Sequence, residues 1–77
     1  MEATVIGFVQ GFSKKDGANK GRAYCRLFVT YDEKGITGKA CREVFVWSDL
    51  IDDIEHLSVG QTVNLILGFN GSIKSVE

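Results

Sequence analysis

The chain has 77 residues, 44% of them apolar, with nine basic side chains against ten acidic ones. A chain of this length buries about 60–65% of the surface that it exposes when unfolded, which leaves room for one small core and excludes two. Ordinary apolar content and aromatic residues spread along the whole sequence exclude disorder, so residues 1–77 are read as a single domain.

Taken in chain order, Thr4 to Phe12 is rich in Val, Ile and Phe and reads as a first strand. Gly7 in its middle marks a bend or bulge, which a strongly curled sheet requires. Ser13 to Gly21 is a polar loop that carries Lys14, Lys15 and Lys20. Arg22 to Tyr31 reads as the second strand, Asp32 to Gly38 as a turn, and Lys39 to Trp47 as the third strand. The period then changes. Ser48 or Asp49 suits an N-cap, and Leu50, Ile51, Ile54 and Leu57 recur at helical spacing. Asp49, Asp52 and Asp53 fall where a helix dipole favours negative charge, and His56 falls near the helix end, where it favours positive charge. Thr62 to Phe69 returns to strand character, Asn70-Gly71 is a two-residue hairpin signal, and Ser72 to Val76 closes the chain.

Five strands with one short helix between the third and the fourth is the element order of the OB-fold, a small mainly β Greek-key barrel. An antiparallel sheet with a helix on one face has the same order. The alternative stays open at this level.

The inventory of reactive groups points away from catalysis. Cys25 and Cys41 both lie in strand-like runs, match no zinc-ligand spacing and read as small buried hydrophobes. His56 is the sole histidine, and neither a nucleophile elbow nor a phosphate-cradling glycine motif occurs. A binding protein without metal or cofactor is the expectation. The longest apolar run, Val63 to Phe69, is broken by Asn64 and too short to cross a membrane as a helix. No basic segment precedes Val5 to Val9, so no signal peptide is expected, and a reducing, cytoplasmic location follows.

Charge is unevenly divided. Residues 1–42 hold eight basic side chains against four acidic ones, whereas residues 43–77 hold one against six. Such polarity hints at an anionic partner for the basic half. On the second strand, alternation places Ala23, Cys25, Leu27, Val29 and Tyr31 on one face, a sensible core. The opposite face carries Arg22, Tyr24, Arg26, Phe28 and Thr30. An outward row of arginines interleaved with aromatic rings suits a single-stranded nucleic acid, whose bases stack on rings while its phosphates meet cations. The candidate contacts are Lys14, Lys15, Lys20, Arg22, Tyr24, Arg26 and Phe28. A protein interface built on the same rings is the rival reading. The third strand is ambiguous: Arg42, Val44 and Val46 share one face, Cys41, Glu43, Phe45 and Trp47 the other, and Trp47 suits either a core or a stacking role.

The run Asn19-Lys20-Gly21-Arg22-Ala23-Tyr24 resembles the loop and second strand of small OB-fold single-stranded DNA-binding proteins, both the bacterial type and the filamentous-phage gene V type. The run Arg42-Glu43-Val44-Phe45-Val46-Trp47, followed by a helical stretch and Leu57-Ser58-Val59-Gly60-Gln61-Thr62-Val63, resembles them too. The resemblance implies a non-enzymatic homodimer that coats single-stranded DNA with little sequence preference in phage or plasmid replication, with Lys20, Arg22, Tyr24 and Arg26 as leading contacts. Nothing in the residues separates DNA from RNA.

Overall fold

In a computed structural model, which describes residues 1–14, 16–69 and 72–77, the chain is mainly β. Five strands run antiparallel to their neighbours: β1 (Glu2–Phe12), β2 (Ala23–Tyr31), β3 (Ala40–Trp47), β4 (Thr62–Leu67) and β5 (Ile73–Val76). They form one strongly curled half-barrel in the order β3-β2-β1-β4-β5. The expected Asn70-Gly71 turn lies outside the described residues.

The curl begins where the sequence placed it. Register along β1 shifts between Val5, opposite Val29, and Gly7, opposite Phe28, which leaves Ile6 without a partner. One extra residue reverses the alternation, so that Ala3 and Val5 face the core before the bulge and Phe8 packs against it afterwards. The strand thereby turns from β4, which it pairs from Glu2 to Thr4, to β2, which it pairs from Thr4 to Phe12.

The concave side holds the core. Val5, Cys25, Leu27 and Val29 have no exposed surface, and Val44, Val46, Leu65 and Val76 close around them. On β2 the buried residues, Cys25, Leu27 and Val29, are the middle three of the five that the alternation assigned to the core, while Ala23 and Tyr31 at the strand ends are half-buried. On β3 the ambiguity resolves in favour of Ala40, Val44 and Val46, which are buried. Cys41 does not join them. It is exposed, while Cys25 is buried as expected and burial pushes its thiol pKa up.

The expected helix between the third and fourth strands is replaced by two 3₁₀ turns, Ser48–Leu50 and Ile54–His56. Helical spacing is present, yet a tertiary contact outcompetes it. Ile51 is extended (φ −100°, ψ 119°), buried, and bridged in parallel to Val76, and the Asp52 N–H donates to the Val76 carbonyl at 2.7 Å. Asp53 then takes a left-handed conformation (φ 54°) and breaks the segment again. The same bridge ties the segment that follows edge strand β3 to edge strand β5, across the open side of the half-barrel. A backbone group paired across the open side and an apolar side chain in the core together outweigh a few more turns of an isolated short helix.

Candidate nucleic-acid interface

Antiparallel register assembles the convex face in rows. Gly11, Tyr24 and Trp47 lie abreast across β1, β2 and β3; Val9, Arg26 and Phe45 form the next row; Gly7, Phe28 and Glu43 form the third. Burying Val44 and Val46 leaves Phe45 and Trp47 on this side, beside the ring that the second strand supplies. The Tyr24 and Phe45 rings stack with centroids 5.4 Å apart and planes 25° from parallel, and Trp47 meets Phe45 edge-on at 5.2 Å. Both are preferred aromatic geometries. Phe45 is 52% exposed even so.

The β1–β2 loop walls one side of this cluster. Ser13 pairs with both Gly21 and Arg22: the Gly21 N–H donates to the Ser13 carbonyl, and the Ser13 N–H donates to that of Arg22. Gly21 has φ +79°, the left-handed geometry that such a bulge needs and that glycine adopts without strain. Between the loop and the rings lies a cleft of about 640 Å³, lined by Phe12, Lys14, Tyr24, Phe45, Trp47 and loop residues 16–19.

The expected contacts are brought together only in part. Tyr24 and Phe28 are half-buried on the convex face, with Arg22 and Arg26 between and beside them. Lys14 is exposed on the cleft wall. Lys15 lies outside the described residues. Lys20 is exposed but engaged by Asp16 at 3.1 Å.

The arginines are engaged as well. One Arg22 Nη donates to both carboxylate oxygens of Asp49, at 3.0 and 3.1 Å, while the guanidinium sits 4.6 Å from the centre of the Trp47 ring. Arg26 Nε donates to Glu43 Oε1, and the guanidinium carbon lies over the Phe28 ring, 5.8 Å from its centre. The hydrogen bond, more than the bare charge, holds the Glu43 carboxyl below its ordinary pKa and raises that of Arg26. Two acidic residues from the negative half of the sequence, Asp49 and Glu43, thus sit on Arg22 and Arg26 of the positive half. The linear charge asymmetry does not carry over to this face.

Sequence reasoning missed Phe45 and Phe12 and left Trp47 undecided. Phe45 was recoverable in principle, because placing Val44 and Val46 in the core forces it outward. The two carboxylate partners left no local signal. Among the described residues no group of three or more His, Cys, Asp or Glu is placed to hold a metal ion, and no helix is long and apolar enough to cross a membrane.

Comparison with known proteins finds no matching family model, no matching relative among curated proteins and no matching solved structure.

Proposed function

We propose that the chain is an OB-type barrel that binds single-stranded nucleic acid on the convex face of β1, β2 and β3, without catalysis and with little sequence preference. One observation carries the reading: the Tyr24–Phe45–Trp47 cluster, with Phe45 exposed and the other two rings half-buried, beside a lysine-bearing loop. Folding normally hides three adjoining rings, and a base offers each of them a flat partner worth about 1–3 kcal/mol. The barrel reading draws on the element order and on the parallel Ile51–Val76 bridge, which joins the segment after β3 to edge strand β5.

In this reading bases stack on Tyr24, Phe45 and Trp47, while Lys14, Lys15, Lys20, Arg22 and Arg26 meet phosphates. Phe28 lies at the far end of the row. A homodimer, which would enlarge a small core, is part of the same proposal, with the coating of phage or plasmid DNA in the cytoplasm as its setting.

The test is a titration of fluorescent oligo(dT) at two salt concentrations, beside Phe45→Ala. Affinity should fall with salt, with a log–log slope of about −0.7 for each phosphate neutralised. Loss of about 1–3 kcal/mol in the variant, with an unchanged fold, identifies Phe45 as a stacking platform. The mixed charge of the face, with Glu43 and Asp49 on the arginines, favours a second reading as a protein-interaction surface. That reading expects no oligonucleotide binding at physiological salt.

A further inference from the structure

The arginines of the convex face are not waiting for phosphate. Arg26 is opposite Phe45 in the β2–β3 register, and Glu43 is opposite Phe28, so the Arg26–Glu43 pair runs diagonally across the two strands. The guanidinium is drawn toward Phe28 and Glu43. Arg22 is drawn in the same way onto Asp49, in the 3₁₀ turn that directly follows β3. Both carboxylates therefore come from one continuous stretch of chain at the rim of the ring cluster.

Building on the nucleic-acid reading above, we propose that Glu43 and Asp49 are built-in competitors for phosphate, which hold Arg26 and Arg22 until a single strand that also stacks on the rings displaces them. An arginine accepts a carboxylate or a phosphate through the same donor fork, but not both in full. A ligand that offers phosphate alone must compete with each carboxylate for the guanidinium, and where it displaces one it leaves an unpaired carboxylate beside its own negative charge. A duplex, with its bases stacked internally, is such a ligand. A single strand adds stacking on Tyr24, Phe45 and Trp47, and that surplus opens the pairs. The face thereby selects single strands over duplexes without reading any base.

The salt dependence carries the signature. When phosphate replaces a carboxylate on an arginine, the freed carboxylate gathers a cation as the phosphate releases one. Net ion release is small. With the carboxylate removed, each arginine contributes its full share.

The experiment compares wild type, Glu43→Gln, Arg26→Gln and the double variant, each with oligo(dT) and with a duplex of the same length. Thermal melts confirm folding, which these exposed positions should not disturb. Glu43→Gln should tighten oligo(dT) binding about two- to fivefold, the scale of an exposed ion pair. It should also steepen the log–log salt slope by about 0.7 and tighten duplex binding by no larger a factor than single-strand binding, because the cost of opening the pair is the most that either ligand can regain. The gain should vanish when Arg26 is also replaced.

If wild type binds and Glu43→Gln binds equally or more weakly, the competition is refuted while the stacking reading stands. A gain that persists without Arg26 would make Glu43 a general repulsive charge and overturn the proposal. Failure of wild type and Glu43→Gln alike to bind oligo(dT) removes both readings. Binding by Glu43→Gln alone supports both, with the pairs then acting as a closed latch.

Discussion

Tyr24 stacks on Phe45, not on Trp47, although Trp47 is its direct register partner. The stack is diagonal, a neighbour relation that long aromatic side chains reach across a sheet. It leaves Trp47 edge-on to Phe45 and free to take the Arg22 guanidinium on its own ring. Phe45 is therefore the hub of the cluster. Because Tyr24 and Phe45 support one another, their effects on binding should not add. Tyr24→Ala and Phe45→Ala should each cost about 1–3 kcal/mol of oligonucleotide affinity, and the double variant less than the sum. A double-mutant cycle by fluorescence titration reads the difference.

Gly11 gives the Tyr24 ring its seat. A Cβ built at Gly11 would stand 2.7 Å from the Tyr24 hydroxyl oxygen and 2.8 Å from the ring carbon that bears it. Both distances are far inside van der Waals contact. Gly11→Ala should leave the core and the melting behaviour nearly intact and swing the Tyr24 ring off Phe45. Altered ring-current shifts of Tyr24 and Phe45 protons, with weaker oligo(dT) binding, would register this. Unchanged spectra would show that the ring does not lie over Gly11.

The concave core should be unforgiving. Leu27 is fully buried among Val5, Val29 and Val44, so Leu27→Ala removes apolar contacts and leaves a cavity. A loss of about 2–5 kcal/mol is expected, a large share of the stability of a domain this small. Urea denaturation measures it. The solvent-facing Val9→Ala should cost far less.

His56 Nδ1 contacts Asp53 Oδ1 at 2.6 Å, and this hydrogen bond, aided by the carboxylate charge, raises the imidazole pKa above its ordinary 6.5. A raised folded-state pKa makes the stabilisation complete below about pH 6.5 and lost as pH climbs through the raised value. An NMR titration of the imidazole protons should give a midpoint above 6.5 in wild type and near 6.5 in Asp53→Asn. Asparagine tolerates the left-handed backbone at position 53, so the variant isolates the charge.

The two thiols should separate cleanly by reactivity. Cys41 is exposed on the edge strand, whereas Cys25 is buried and its thiol pKa is raised by desolvation. A thiol-specific chromogenic reagent should label one thiol rapidly in the folded protein, and the second only on unfolding. Protection of Cys41 at high protein concentration would locate a dimer contact on β3.

The period-two pattern of the strands was enough to define β2 as a two-faced strand, with Cys25, Leu27 and Val29 inward and Tyr24, Arg26 and Phe28 outward. It was enough because Cys25, Leu27 and Val29, small or aliphatic side chains, occupy alternate positions without interruption. Gly7 announced its bulge for a similarly local reason, as a residue without a Cβ inside an otherwise β-rich run. The segment after β3 obeyed a different rule. Its spacing of Leu50, Ile51, Ile54 and Leu57 is helical, but Ile51 is captured by Val76, the last residue of β5, and no local propensity encodes a partner that distant. The site divides in the same way. Tyr24 was legible from its own strand, whereas Phe45 joins it only through the β2–β3 register. Glu43 and Asp49 reach Arg26 and Arg22 from 17 and 27 positions away. Local alternation determines which way a side chain points; only pairing across the curled sheet decides what it meets there.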